Sequence, residues 1–468
     1  MENKKLRFII VGLGHHAKRV YLPFLKDENI ELAGIVEIDT KVEETRQYLI
    51  ENGLEYTPVV VSPYLKDKQL PKSLVEQLDS IENVDAIIIS TDPQVHMPYS
   101  RWAITRGLNI LLDKPISTYR NVANNSRISR QLIDDYDELR DGYASSPDKA
   151  ILIAVQRRYH PGFDIVRGLV NDVSERFNIP VTSISAHHSD GQWRMPSELE
   201  TMAYHGFTDG NGKLSHSGYH LFDSLSQIVE DSYKKSHRSV EKIIASAYFT
   251  KPEHIINQLD YSKIFEENVR LDHIADFTRY GEHDATVSGQ FSYKEETRTL
   301  FTISLLHNSV SDRHWIQSRK DLYKKNGRIK HEFFNIHQGP LQNIQVHSFQ
   351  SKSDHDDPFS EGTGVGTDSH FEIHVFKNSA LCGGLPYEII NANEKIDTEG
   401  KLITEGSKQI MCQEFVAFCR GSIQKKDLRS EISKHGVGIA LLAASYKSGA
   451  SKGKGIEADL FNGTWHLT

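Results

Sequence analysis

The chain has 468 residues, of which 38% are hydrophobic and 25% are charged, the proportions of a soluble globular protein with two or three domains. The formal net charge of −8 argues against nucleic acid as a main partner, and no apolar run is long enough to span a bilayer. The cysteines Cys382, Cys412 and Cys419 are odd in number and lack metal-site spacing. Composition therefore predicts a cytoplasmic protein with reduced thiols and no membrane partner.

The chain opens with a strand-like run, Phe8–Val11, that enters a Gly-x-Gly-x-x-Ala turn and then a helical pattern. Gly12 permits a tight turn, Gly14 lets the backbone approach a pyrophosphate, and Ala17 lets the helix pack close to the sheet. The free N–H groups at the start of that helix favour phosphate binding. The pattern predicts a dinucleotide-binding turn.

The next strand-like run, Ile30–Val36, is followed by Glu37, which comes 23 positions after Gly14. A carboxylate at about this distance accepts hydrogen bonds from the adenosine ribose and repels a 2′-phosphate. Glu37 therefore favours NAD over NADP, although NADP stays open, and Asp39 is the competing candidate. The alternative interpretation of Glu37 is an acidic residue at a strand end.

Strand-like and helix-like stretches alternate up to about residue 155, which predicts βαβ units and a parallel sheet. The helical examples are Pro98–Thr105 and Val122–Leu139. The remaining strand-like runs of this half are Thr57–Val61, Ala86–Ser90, Asn109–Leu112 and Ala150–Val155.

After a helical stretch, Pro161–Val173, alternating runs predict a large antiparallel sheet, followed by a surface loop over Ser351–Ser369 and two helices, Lys408–Cys419 and Leu428–Ser448. The α/β fold expected is a Rossmann-type doubly wound parallel sheet over 1–156 and an α/β domain with a mainly antiparallel sheet over 157–468. The predicted strands of the second domain are Val181–His187, Ala285–Tyr293, Thr297–Leu306, Arg328–Phe334, Ile344–Phe349 and Phe371–Phe376.

Three further patterns carry candidate chemistry: Thr91–His96, the tripeptide Asp113-Lys114-Pro115, and the stretch Gly210–Asp223. Together with the glycine turn, they resemble in order and spacing the Gfo/Idh/MocA family of nicotinamide-dependent sugar and cyclitol oxidoreductases. The family's usual tripeptide is Glu-Lys-Pro, so Asp113 is a mild variant. The resemblance also implies a closing helix that can pack back on the first domain. The resemblance implies extra segments relative to the family core at 196–209, 250–285 and 351–369.

The resemblance implies roles for individual residues. Lys114 matches the catalytic lysine, whose ammonium would stabilise a developing oxyanion, and His220 matches the histidine that would act as the base. Taken alone, Lys114 would be interpreted as a surface lysine before a turn. The alternative interpretation of His220 is a core-facing helix histidine. The residues expected at the cofactor are Gly12, Gly14, His15, His16, Ala17, Glu37, Thr91, Pro93, His96 and Asp113.

His216 departs from the family pattern, which has an aspartate at this position. At helical spacing His216, His220 and Asp223 share one face, so a zinc site is an alternative, but no further ligand is evident and no metal is predicted. A second hypothesis is that His216 pairs with an acidic group of the substrate. Arg157 and Trp193 are weaker candidates for substrate contacts, by a bidentate contact and by stacking on a sugar ring.

These patterns predict an NAD(P)-dependent dehydrogenase or reductase that acts on a hydroxyl of a small sugar, cyclitol or sugar-derived acid. The family commonly assembles through the open face of the second sheet, so a homodimer or homotetramer is expected. Two alternatives stay open. One is an enzyme that cleaves glycosides by transient internal oxidation with a tightly held NAD, and the other is a non-catalytic dinucleotide-binding sensor.

Overall fold

The computed structural model describes residues 5–65, 69–201, 206–265, 276–311, 313–314, 316, 328–352, 370–392 and 403–468. Within these ranges the α-helices are α1 (Leu22–Asp27), α2 (Val42–Glu51), α3 (Lys72–Asp79), α4 (His96–Thr105), α5 (Arg130–Gly142), α6 (Pro161–Phe177), α7 (Pro196–Thr201), α8 (Tyr219–Lys235), α9 (Pro252–Gln258), α10 (Tyr261–Phe265), α11 (Ser379–Cys382), α12 (Ile403–Cys419) and α13 (Gly436–Ala450). None of these described helices is both long enough and apolar enough to cross a membrane.

The strands, over the same ranges, form two sheets. They are β1 (Arg7–Val11), β2 (Glu31–Ile38), β3 (Val59–Ser62), β4 (Ala86–Ile89), β5 (Asn109–Asp113), β6 (Ile151–Ala154), β7 (Ser183–Gln192), β8 (Lys242–Thr250), β9 (Asp284–Tyr293), β10 (Thr297–Asn308), β11 (Arg328–Gln338), β12 (Gln342–Lys352), β13 (His370–Lys377), β14 (Tyr387–Asn391), β15 (Ile456–Phe461) and β16 (Thr464–Leu467).

The first compact unit comprises Met1–Thr118, Asp134–Tyr159 and Glu405–Gly436. Its six strands are all parallel and lie in the order β3-β2-β1-β4-β5-β6, the doubly wound arrangement that was predicted. Each residue of β4 is buried, as expected for a strand covered on both faces by helices.

The returning segment of this unit adds α12 to its core. The ring of Phe415 on α12 packs edge-on against Phe8 of β1, with centroids 5.8 Å apart. Ala17 and Tyr21 are fully buried in the same cluster. The small side chain of Ala17 therefore allows the turn after β1 to pack tightly into the core, as the sequence predicted.

The second unit comprises Tyr119–Ile133, His160–Thr404 and Val437–Thr468. Its described strands form one ten-stranded sheet in the order β14-β13-β12-β11-β7-β10-β9-β8-β15-β16. Neighbours are antiparallel except for β7 and β10, which run parallel. This confirms the predicted α/β domain with a mainly antiparallel sheet.

One face of this sheet is covered by α6 and α8, which contact each other. The alternation in β11 is regular: Phe334 and Ile336 are buried, and the residues between them are partly exposed. On α6, Phe163 packs edge-on against Phe334 of β11 and Phe371 of β13. The period-2 pattern of the sequence thus identifies the packed face correctly.

The predicted helix Val122–Leu139 is wrong in its first half, because α5 begins only at Arg130. Residues 119–129 form turns that bond elsewhere in the second unit. Asn121 adopts a left-handed φ of 60°, and its N–H donates to the carbonyl of Asp209 at 2.8 Å, while Ala123 N–H donates to that of Gly210 at 3.0 Å. These tertiary hydrogen bonds replace the helical ones.

The predicted helix Leu428–Ser448 is also shorter than expected, since a 3₁₀ turn over Ile432–His435 precedes α13. The side chain of Glu431 caps this turn by accepting the N–H of Ser433 at 2.9 Å. The first unit ends at Gly436, so α13 itself is assigned to the second unit. The predicted loop Ser351–Ser369 lies outside the described residues from 353 onward.

Candidate functional site

The candidate residues of the first unit begin at the turn after β1. Gly12 has a φ of +83°, and a Cβ built on it would lie 2.5 Å from the carbonyl oxygen of Ser90, so only glycine fits there. A Cβ on Gly14 would meet nothing within 4 Å, which leaves open space over the backbone. The turn then passes through a π-helical turn, Ala17–Tyr21, into α1. His15 is exposed and His16 partly exposed at this turn.

Glu37, at the end of β2, is 7% exposed, and both of its carboxylate oxygens are engaged by backbone. Oε2 accepts the N–H of Leu13 at 3.0 Å, and Oε1 accepts the N–H of Ile38 at 2.9 Å. These bonds fix the carboxylate beside the glycine turn, with further lone pairs for ribose hydroxyls. Asp39, the competing candidate, caps Thr40 from an exposed position.

Lys114 follows Asp113 at the end of β5, and its side chain is partly exposed. The Asp113 carboxylate accepts from the hydroxyls of Tyr21 and Ser90, the latter at 2.7 Å. Asp113 therefore joins β5 to the segments after β1 and β4. The cofactor contact expected of Asp113 stays a prediction.

His96 is fully buried at the start of α4. Its Nδ1 lies 3.0 Å from the carbonyl oxygen of Pro115, and its Nε2 lies 3.2 Å from that of Thr91. Burial lowers the pKa of His96, so the ring is neutral near pH 7. His96 thus connects the loop after β4, where Pro93 opens a 3₁₀ turn, to the loop after β5.

The two arginines after β6 differ in their surroundings. Arg158 is 3% exposed and donates to the carbonyls of Arg429 at 3.0 Å and Lys434 at 2.8 Å, which attaches the returning segment to the first unit. Arg157 is 7% exposed in the same 3₁₀ turn. The substrate contact predicted for Arg157 stays a prediction.

The candidate residues of the second unit begin where Asn211 and Gly212 cross the segment before β9. A Cβ on Gly212 would lie 2.1 Å from the carbonyl oxygen of Glu282, and the N–H of Lys213 donates to that same oxygen at 3.0 Å. The chain then forms a π-helical turn, Leu214–Gly218, that leads into α8. Isolated π turns of this kind occur often at functional sites.

This π turn carries His216 and leads into α8, which carries His220 and Asp223. His216, His220 and Asp223 are 7%, 7% and 3% exposed, so all three lie in the interior of the second unit. His216 Nδ1 accepts the N–H of Ser217 at 2.7 Å, and the His216 ring packs edge-on against Phe207. The Ser217 hydroxyl lies 3.5 Å from Asp190 Oδ2, which places the turn beside a buried ionic cluster.

That cluster was missed by the sequence interpretation. Lys213 is 0% exposed, and its ammonium nitrogen lies 2.6 Å from Asp190 Oδ2 and 2.9 Å from His188 Nδ1. On β10, His307 Nδ1 lies 2.9 Å from the same Asp190 oxygen. His188 Nε2 lies 3.6 Å from Glu332 Oε1 on β11. We call Lys213, Asp190, His188 and His307 the buried ionic cluster.

Burial dominates the proton equilibria of this cluster. It lowers the pKa of Lys213 to about 8, although the Asp190 carboxylate acts in the opposite direction. Burial alone would raise the pKa of Asp190, but the Lys213 charge and the His307 hydrogen bond hold it well below its usual range. Burial also lowers the pKa of His307 to about 4. The cluster is therefore ionised at Lys213 and Asp190, with neutral imidazoles.

The pKa values of two neighbouring carboxyl groups are also shifted. Burial raises the pKa of Glu282 to about 7 and that of Asp284 to about 6. Perturbed groups gathered in one region mark candidate functional sites. A signal for the cluster is present in β7: His188 and Asp190 continue, at period 2, the buried face begun by Ile184 and Ala186.

Trp193 lies in an aromatic stack of the second unit. Its ring is parallel to that of Phe265, with centroids 5.2 Å apart, and stacks more loosely on Tyr261 at 6.2 Å. Both partners come from the predicted extra segment 250–285. The predicted contact of Trp193 with a sugar ring stays untested.

The comparisons with known proteins agree with this geometry. Residues 6–132 match the model of the oxidoreductase family with an NAD-binding Rossmann fold. This segment is the part of the chain that resembles the Gfo/Idh/MocA oxidoreductases. The match confirms the predicted resemblance, the nicotinamide-dependent oxidoreductase class and NAD as the cofactor. The glycine turn and Glu37 lie inside the matched Gfo/Idh/MocA segment and fit the dinucleotide.

Solved structures share the fold over nearly the whole chain. An oxidoreductase from Agrobacterium radiobacter in complex with NAD+, L-tartaric acid and magnesium has a TM-score of 0.56 at 12% identity, with 97% of this chain and 98% of that chain covered. An inositol dehydrogenase homologue from Azotobacter vinelandii with NADH and myo-inositol has a TM-score of 0.57 at 11% identity, covering 98% of each chain.

An aldose-aldose oxidoreductase from Caulobacter crescentus complexed with glycerol has a TM-score of 0.53 at 13% identity, with 96% of this chain and 98% of that chain covered. No curated protein matches the sequence closely enough to count as a relative. At these identities the structural likeness establishes the fold, and the substrate is a separate question.

Proposed function

We propose that this protein transfers a hydride between a nicotinamide dinucleotide, NAD in preference to NADP, and a hydroxyl or carbonyl of a sugar, cyclitol or sugar-derived acid. The observation that carries the proposal is the Gfo/Idh/MocA turn, in which Gly12 and Gly14 clear the backbone and Glu37 is fixed beside it by Leu13 and Ile38. The bound dinucleotide supplies the hydride acceptor.

Lys114 and His220 are the residues proposed for the chemistry. The Lys114 ammonium would donate to the substrate oxygen and stabilise the negative charge that develops there. His220 would take the hydroxyl proton, a task suited to an imidazole near neutral pH. Asp113 supports this assignment, because its bonds to Tyr21 and Ser90 hold the segment that carries Lys114.

The substrate class rests on two supports. The three structural neighbours named above were solved with L-tartaric acid, myo-inositol and glycerol, which are all polyhydroxylated compounds. The interior of the second unit, close in sequence to His220, is rich in groups that bond hydroxyls and carboxylates, including His216, Asp223 and the buried ionic cluster. Such groups discriminate strongly in favour of hydroxylated ligands.

We also infer a cytoplasmic homodimer or homotetramer. The buried thiols of Cys382 and Cys412 support a reducing compartment. Large exposed side chains on the ten-stranded sheet support assembly, among them Leu300 and Ile389.

The test is NADH formation from a panel of sugars, cyclitols and sugar acids by the wild type, Lys114→Met and His220→Asn. Loss of the oxyanion donor or of the base should lower kcat/KM by about a hundred-fold or more. NADH affinity, measured by calorimetry, should stay unchanged. His237→Asn is a matched control, since His237 follows the end of α8 in an exposed left-handed position that asparagine tolerates.

Equal turnover by the wild type and both variants would contradict the assigned roles. Glycoside cleavage without net NADH formation would favour the internal-redox alternative. Binding of NADH with neither activity would favour the sensor.

A further inference from the structure

One pocket of the first unit, beside the glycine turn where the adenosine ribose is expected, is lined by balanced charges. Two carboxylates, Glu37 and Glu44, and two ammonium groups, Lys18 and Lys41, line the pocket that opens beside Gly14. The formal charge of these four groups is zero. Glu37 already has both carboxylate oxygens engaged by backbone N–H groups. The pairing of the remaining three groups, Lys18, Lys41 and Glu44, can therefore change when a ligand binds beside the ribose position.

Lys18 is held by Glu44. Its ammonium nitrogen lies 2.8 Å from Glu44 Oε1, and the same nitrogen lies 4.6 Å from the centroid of the Tyr48 ring. The hydrogen bond from Lys18 lowers the pKa of the Glu44 carboxyl. The Lys18 side chain is 21% exposed and that of Glu44 is 70% exposed, so Lys18 is the more enclosed member of the pair.

We propose that Glu44 is a second cofactor-specificity residue, which excludes NADP by holding Lys18 in an ion pair. A 2′-phosphate carries about two negative charges and needs at least one free ammonium or guanidinium group. With Glu44 ionised, the charge of Lys18 is paired, and two carboxylates line the pocket that the phosphate would enter. Without that charge, Lys18 is free to join Lys41 as a phosphate donor.

The inference rests on dinucleotide binding alone and is independent of the substrate and of Lys114 and His220. NAD itself is unaffected by the pair, because its ribose hydroxyls need only the acceptor that Glu37 supplies. Glu44 therefore acts on the selectivity between the two dinucleotides and leaves NAD affinity unchanged.

The test is calorimetric titration of the full chain with NADH and NADPH, and with AMP and adenosine 2′,5′-bisphosphate as minimal probes. In Glu44→Gln, the Kd for NADPH and for the bisphosphate should fall by about ten-fold, the effect of about one charge-assisted hydrogen bond. The Kd for NADH and AMP should stay within about two-fold of the wild type.

Glu43→Gln is the matched control. Glu43 lies on the same helix, its side chain is 92% exposed, and it is within 4.0 Å of Arg46 rather than Lys18. The Glu43→Gln substitution removes the same charge without releasing Lys18. It should therefore leave the selectivity between NADPH and NADH unchanged. The double variant Lys18→Met/Glu44→Gln should lose the gain in NADPH affinity.

Three results would overturn the proposal: an unchanged NADPH-to-NADH ratio in Glu44→Gln, an equal gain in Glu43→Gln, or a gain that persists in the double variant. The wild-type titration with NADH separates this failure from a wrong cofactor assignment, because a chain that binds neither dinucleotide would contradict the cofactor site as a whole.

Discussion

Glu282 is a buried carboxyl whose surroundings favour its neutral form. Its Oε1 accepts the N–H of Leu214 at 2.7 Å and the hydroxyl of Tyr446 at 3.1 Å. Burial nevertheless raises its pKa from 4.5 to about 7. The folded chain therefore holds a proton that the unfolded chain releases over this pH range.

This difference predicts a pH dependence of stability. Because the unfolded state binds fewer protons between about pH 4.5 and pH 7, the free energy of unfolding should fall by about 3 kcal/mol as the pH rises through this window. Glu282→Gln should remove that fall. Urea unfolding at about pH 5 and about pH 8 measures it, with the exposed Glu296→Gln as control. An equal fall in the free energy of unfolding between these pH values in the wild type and in Glu282→Gln would contradict a buried Glu282 carboxyl with a raised pKa.

Single residues also mark the limit of what the sequence could predict. The glycine turn and Glu37 were identified because each follows a strand at a diagnostic spacing. Lys213 was not identified as a buried residue, since a lysine after a glycine is ordinarily an exposed loop residue. Its ammonium is paired with Asp190 and His188 of β7, a strand that is separate from it in sequence. Pairing across a sheet is invisible to a local pattern.

At the scale of elements, the π turn before α8 is held by a close crossing of backbones. A Cβ on Gly212 would lie 2.1 Å from the Glu282 carbonyl oxygen, and one on Gly281 would lie 2.1 Å from the Asn211 carbonyl oxygen. The two glycines let the segments before α8 and before β9 approach directly. The start of α8, and with it His220, is positioned by this crossing.

Gly212→Ala should therefore separate the two segments. We expect a loss of about 2–4 kcal/mol in the free energy of unfolding, since the clash is with backbone that cannot rotate away. Gly168→Ala on α6 is the control, because a Cβ there meets nothing within 4 Å. It should stabilise by about 0.5–1 kcal/mol. A Gly212→Ala protein as stable as the wild type would show that the crossing is looser than described.

The elements that the sequence predicted well are those with a strong period. The six parallel strands were all found, and so were six strands of the second sheet. The errors have tertiary causes: Asn121 and Ala123 bond to Asp209 and Gly210 in place of continuing a helix. At the other end of the chain, Glu431 pairs with Leu152 of β6 and interrupts the predicted helix before α13.

At the scale of the whole molecule, the α/β class and the two sheets follow from alternation of apolar runs. The assignment of Glu405–Gly436 to the first unit does not follow from the sequence, because no local pattern in that segment indicates which core it packs against. Its apolar face is explained only by its partners, such as Phe8 against Phe415. The predicted domain boundary at residue 156 stays a prediction.

Hydride transfer can be measured most directly in a single turnover of the full chain with stoichiometric NAD. The absorbance of reduced nicotinamide would be followed after mixing with each polyhydroxylated compound of the panel, and would report net dehydrogenation and transient internal oxidation alike. We predict reduction in the wild type, and a rate at least about a hundred-fold lower in Lys114→Met and His220→Asn. Undiminished reduction in both variants, or bound NAD that no hydroxylated compound reduces, would contradict the proposed chemistry.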